Sequence, residues 1–212
     1  MTYPILTSIQ EDRDRLVSLY QKLIAITMLA SLPALVGFAA VADSFVRVFL
    51  GDEWLPAVPI IQILCFARAI TPISAINMNI LNAVGRSDLF LKVDLSKLPM
   101  TLVALFISAP YGVEAIAWAM LITSVVSFFI NAYYPGKLFG FGAFSQLVVG
   151  WKIIFATVVM FFSVMTIEHS SPMLELLLKI GLGGVVYGSM LFLLKVELFT
   201  SSLKAAIAYL RH

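Results

Sequence analysis

Long apolar runs, separated by short polar clusters, dominate the chain. Six stretches, near 23–42, 57–82, 89–109, 113–134, 148–167 and 174–195, are long and apolar enough to cross about 30 Å of hydrocarbon, which takes roughly 20 helical residues. None alternates apolar and polar residues as barrel strands do. Helices are therefore predicted, because inside lipid every backbone N–H and C=O must find its partner within the segment. The expected fold class is all-α: an integral membrane helical bundle of about six transmembrane helices plus short interfacial helices. The chain reads as a single membrane domain over 1–212. In it, 1–22 is a cytoplasmic lead-in and helix start, 23–195 holds the six spans, and 196–212 is a cytoplasmic interfacial tail.

Local signals refine the outline. Ser8-x-x-Glu11 matches a capping box at the start of the first helix. Pro33 is expected to bend that helix within the membrane. The segment from Asp43 to Gly51 is too short to span and reads as a helix running into or along the interface, stopped by Gly51. Trp54 follows where an interfacial aromatic belongs. In the tail, Phe199, Leu203, Ile207 and Leu210 share one helical face, with Ser201, Lys204 and Arg211 elsewhere.

Composition agrees. Of 212 residues, 61% are hydrophobic and 12% charged, against about 25% charged in soluble domains; the mean hydropathy is +0.99. A net charge of +2 is too small to suggest a nucleic-acid partner. Cys65 is the single cysteine, so no disulfide within the chain is possible, and it reads as a small buried apolar residue. The start lacks the basic n-region of a signal peptide.

The placement of charge says more than its sum. Lysines and arginines at successive borders number 3, 1, 3, 0, 2, 0 and 3. Because cations are retained on the cytoplasmic side, both termini are expected to be cytoplasmic. Gly85-Arg-Ser-Asp88 then forms a cytoplasmic turn between the second and third spans.

Some polar residues break the border rule. Arg68 lies inside a span, where a charge is costly and by default marks a pathway. Asn77, Asn79 and Asn82 follow on the same helix, beyond Thr71-Pro72; they either line a cavity or bond neighbouring helices. Pro72 is a candidate hinge. Lys92 and Lys97 read as border residues. Asp94 has no topological reason to be there; it either pairs with Lys97 or serves proton or cation coupling. Tyr133 and Tyr134 read as belt residues beside Asn131, and Glu114, Glu175 and Lys179 as solvated span ends. The candidate substrate pathway is thus Arg68, Asn77, Asn79, Asn82 and Asp94. Gly184-xxx-Gly188 is a small-xxx-small pattern that lets helices approach.

No catalytic or metal-binding set stands out. There is no Walker loop, no Ser/His/Asp set and no GxGxxG, and the two histidines, His169 and His212, lie far apart. No cofactor is expected, and no enzyme.

The stretch from about 33 to 140 resembles the C-terminal half of a polysaccharide flippase. The family is the polysaccharide-transport branch of the multidrug/oligosaccharidyl-lipid/polysaccharide exporter superfamily, which includes Wzx-type lipopolysaccharide and exopolysaccharide translocases. The resemblance rests on "PALVGFAAVADSFVRVFLGDEWLPAVPIIQIL", "NMNILNAVGRSDLFLKVDLSK" and "INAYYPGKL". It implies one lobe of a two-lobed transporter in the bacterial inner membrane. That transporter would move a polyprenyl-pyrophosphate-linked oligosaccharide by alternating access, with Arg68 facing the anionic group. The implied partners are that lipid-linked oligosaccharide, membrane lipid, and a missing N-terminal lobe or a second copy. Only six spans are present, so the reading includes a truncated and inactive fragment. Two other classes stay open. One is a membrane enzyme of polysaccharide assembly (polymerase or ligase), against which the short outer connections argue. The other is a structural helix bundle without transport.

Overall fold

A computed structural model describes residues 13–196 and Phe199. Seven α-helices lie among them: α1 Arg13–Phe49, α2 Val58–Ala69, α3 Thr71–Ala83, α4 Ser87–Ser108, α5 Val113–Phe139, α6 Ala143–Met165 and α7 Pro172–Leu193. Short 3-10 turns at Asp52–Ala57 and Ala109–Tyr111 join α1 to α2 and α4 to α5. The described residues hold no strand. The Ser8–Glu11 capping box and nearly all of the 196–212 tail lie outside the described residues.

Five units are long and apolar enough to cross a membrane: α1, the α2–α3 pair with its leading turn, α5, α6 and α7. The expected third span, α4, has the length but not the composition. Its 22 residues carry Asp88, Lys92, Asp94 and Lys97 in the first three turns. Its second half is apolar, with Leu102, Leu105 and Phe106 exposed.

The exposed surface is itself apolar. At most 33% of any spanning stretch is buried, and 11% in α5. A water-soluble bundle would hide such residues. This one presents them to hydrocarbon, so its helices are held together by close packing and hydrogen bonds rather than by exclusion of water.

The long α1 is the spine. It runs unbroken through Pro33 and packs against α2, α3, α6 and α7. Leu16, Tyr20, Ile24 and Met28, spaced four apart, are buried on its inner face. The helix continues through Val46 and stops where the Leu50 and Gly51 amides both donate to the Val46 carbonyl, as the sequence leads one to expect. Trp54 is exposed just beyond.

Outside this core, α5 packs on α2 and α3, and α4 packs on α5. Leu89 and Val93 of α4 meet Ile130, Tyr134 and Leu138 of α5, so these two helices run antiparallel, side by side. The expected turn at Gly85–Asp88 is present: Gly85 adopts φ 74°, and its amide donates to the Asn82 carbonyl at 3.0 Å.

One packing expectation is corrected. Gly184 and Gly188 have open space where a side chain would sit, whereas a Cβ on Gly183 would lie 3.2 Å from Val164 of α6. The close approach of α7 uses the glycine on the other face of that helix.

Candidate substrate-pathway site

Polar residues within the helices of this bundle gather into three groups. They differ in whether their hydrogen bonds are closed.

The first group lines a cleft between the α2–α3 junction, α4 and α5. Arg68 sits in the last turn of α2, at the midpoint of the 32-residue unit Asp52–Ala83. The helix is interrupted at Ile70, because Pro72 has no N–H to offer the Arg68 carbonyl. Across the cleft, α5 contributes Thr123, Ser124, Ser127 and Asn131; α3 contributes Thr71 and Ser74, and α4 contributes Thr101. The space is 260 Å³. Arg68 is exposed on the face of the bundle, and no carboxylate among the described residues pairs with it. Thr123 turns its hydroxyl back to the Ala119 and Met120 carbonyls, 2.8 and 3.1 Å away. Asn131 is 4% exposed, yet its Oδ1 is buried with no hydrogen-bond partner among the described residues.

The second group is closed. Tyr20 of α1 donates its hydroxyl to Asn77 Oδ1 at 2.6 Å. Asn77 Nδ2 donates to Gln146 Oε1 at 3.2 Å. Gln146 Nε2 lies 3.0 Å from both the Tyr20 hydroxyl and Asn77 Oδ1, and 3.3 Å from the Phe141 carbonyl. All three side chains are fully buried, and together they tie α1, α3 and α6.

The third group joins α1 to α7 near the opposite end. Lys179 Nζ donates to Glu175 Oε1 at 2.5 Å and to Ser44 Oγ at 3.2 Å. Ser44 Oγ in turn donates to Glu175 Oε1 at 2.7 Å, and Glu175 Oε2 accepts the His169 amide at 3.3 Å. The side chains of Lys179 and Glu175 are 8% and 13% exposed. This corrects their reading as solvated span ends: four residues apart, each neutralises the other against the Ser44 face of α1. A polar depression of 520 Å³ lined by Asp43, Arg47, Glu168, His169 and Glu175 opens above the pair.

Of the five pathway candidates, Arg68 alone lines the cleft. Asn77 belongs to the closed network. Asn79 is half-buried on α3 and Asn82 half-buried at its end; neither lines the cleft. Asp94 is exposed and pairs with Lys97 at 3.0 Å, the structural alternative open at the sequence level. At the Gly85 turn, Arg86 hydrogen-bonds Asp88 at 2.9 Å and thereby holds that carboxyl below its ordinary range. Sequence reasoning missed the α5 wall. Its signal was present: Thr123, Ser127 and Asn131 are four apart, a polar stripe on an otherwise apolar helix. Among the described residues, no group of His, Cys, Asp and Glu could hold a metal ion.

Comparison with known proteins places this architecture. Residues 1–59 match a family model described as "Polysaccharide biosynthesis protein". The chain is 32% identical over 173 residues to the teichuronic acid biosynthesis protein TuaB of Bacillus subtilis, covering 78% of this chain and 35% of that protein. It is 23% identical over 132 residues to the lipopolysaccharide biosynthesis protein WzxC of Escherichia coli, covering 62% of this chain and 27% of that one. A membrane protein of the cps region of Klebsiella pneumoniae is 27% identical over 133 residues. The chain therefore spans about a third or less of the length of these relatives. No solved structure matches. With several helices long and apolar enough to cross a membrane, the chain is a multi-pass membrane protein similar, over most of its length, to part of the Wzx-type polysaccharide-biosynthesis proteins.

Proposed function

We propose that this chain is one lobe, the C-terminal one, of a flippase that moves a polyprenyl-pyrophosphate-linked oligosaccharide across the bacterial inner membrane by alternating access. The observation that carries the reading is Arg68. A guanidinium at the midpoint of a spanning unit, lining a polar cleft and without a carboxylate partner among the described residues, is suited to an anionic group entering from the membrane. It opens on the outer face of the bundle. Helices beyond this stretch, or a second copy, then supply the facing wall of the cavity.

The two ends of the bundle support an orientation. Lys22, Arg86, Lys137 and Lys195 lie toward the end that holds the Gly85 turn, beside Asp88, and Asp43, Asp52, Glu53, Glu168 and Glu175 toward the other, beside Arg47. By the positive-inside rule the first end is cytoplasmic. α4 lies alongside the spanning α5, so it crosses the same depth, its charges gathered at its cytoplasmic half; six crossings then leave both termini inside.

The test is binding of a fluorescent polyprenyl-pyrophosphate glycan to the chain in lipid nanodiscs, together with its translocation in proteoliposomes. Arg68→Gln is expected to weaken binding at least tenfold, because a charge-assisted hydrogen bond contributes about 1.5–3 kcal/mol. Unchanged binding by that variant would remove the anion-binding role.

A further inference from the structure

We infer that Asn131 and the hydroxyls beside it form a second subsite in the Arg68 cleft, one that accepts hydrogen bonds from the hydroxyls of a single sugar ring. The inference rests on the reading of Arg68 as the anion contact and adds the identity of what lies next to the anion.

Two buried asparagines differ in how their amides are satisfied. Asn77 and Asn131 are the same residue type at similar burial, 0% and 4% exposed. Both amide atoms of Asn77 are taken by Tyr20 and Gln146. Asn131 Oδ1 has no donor among the described residues. A buried amide oxygen left without a donor is destabilising, and such atoms are rare in folded proteins. This one borders a cleft that also presents Thr101, Ser124 and Ser127. The cleft is therefore open to a ligand that brings a donor of its own.

Arg68 and Asn131, which line the cleft from different helices, ask for different chemistry. Arg68 offers donors only and a positive charge. The Asn131 oxygen accepts and repels an anion. A ligand that satisfies both carries a negative group next to neutral O–H donors, which is the chemistry of a sugar attached to a phosphate. Size limits how much of it enters. The cleft measures 260 Å³, just below the range of about 300–1,000 Å³ that encloses drug-sized ligands. It suits one ring, the one nearest the phosphate, and leaves the rest of an oligosaccharide outside.

The experiment uses the full 212-residue chain in nanodiscs and three probes of equal tail length: octyl β-glucoside, its tetra-O-methyl ether, and octyl phosphate. The ether keeps the ring and its acceptors but has no donor. Tryptophan fluorescence or native mass spectrometry reads the binding. The glucoside is expected to bind about tenfold tighter than its ether, the ratio one hydrogen bond supports, and Asn131→Leu to abolish that preference while leaving octyl phosphate bound. Equal binding of glucoside and ether to the native chain, or a preference that survives Asn131→Leu, overturns the subsite. Failure of octyl phosphate to bind, with the glucoside preference intact, instead removes the Arg68 reading. A melting temperature of Asn131→Leu at or above the native value agrees with an amide unpartnered until ligand arrives. A clear fall overturns the inference, because it shows that the amide is bonded within the fold.

Discussion

The Arg68 cleft and the Tyr20–Asn77–Gln146 network place similar chemistry in the same apolar bundle and use it in opposite ways. In the network, three polar side chains from three helices saturate one another and are sealed from the surroundings. Along the cleft, Arg68 has no carboxylate partner among the described residues, and Asn131 in the facing wall has a buried amide oxygen with no donor among them. Hydrocarbon cannot hydrogen-bond either set, so the closed one acts as a fastener between helices, and the open one is the set proposed above to meet a ligand. A polar residue inside a membrane helix is thus diagnosed by whether its partners are internal, not by its type.

The Ser44–Glu175–Lys179 group extends the closed side of that contrast to full charges and gives its largest test. Lys179→Met strands a carboxylate in a buried setting and is expected to destabilise by about 3–5 kcal/mol. Adding Glu175→Leu should restore most of the loss. Denaturant unfolding in mixed micelles reads both, and a double variant no better than the single one would break the assignment of a mutually neutralising pair. Next in size, Asn77→Leu leaves Tyr20 and Gln146 short of a partner and should cost about 1–3 kcal/mol. Combined with Gln146→Leu it should show non-additive coupling, since the two residues share bonds. Simple additivity would argue that the network is not a unit. Smallest are the cleft variants. Arg68→Met and Asn131→Leu should change stability by no more than about 0.5 kcal/mol, or raise it, because no internal bond is lost. The same substitutions are the ones expected to weaken ligand binding. Should Arg68→Met unfold the chain as Lys179→Met does, the distinction between open and closed groups would fail.

Much of the fold could be read from the chain. Runs of apolar residues located α1, α5, α6 and α7, and the Asn-Ala-Val-Gly-Arg turn was found where Gly85 reverses the chain. The place of Arg68 inside a spanning unit was legible, because a charge within an apolar run is conspicuous. The asparagines were not, since Asn77 and Asn131 look alike until their neighbours are known. Lys179 and Glu175 misled for a related reason: their places near a span end suggested water, while the partner that buries them, Ser44, lies 131 residues away from Glu175.

Hydrophobic length and the distribution of lysine and arginine are properties of local segments, so the chain alone specified a helical membrane bundle and a polarity of charge between its ends. Which amide is saturated and which is left open depends on side chains brought together from helices distant in sequence. Only the packing of α1 against α3 and α6, and of α5 across from Arg68, decides that. Hydrogen bonds are short and directional, and no spacing along one helix reveals what faces it from another.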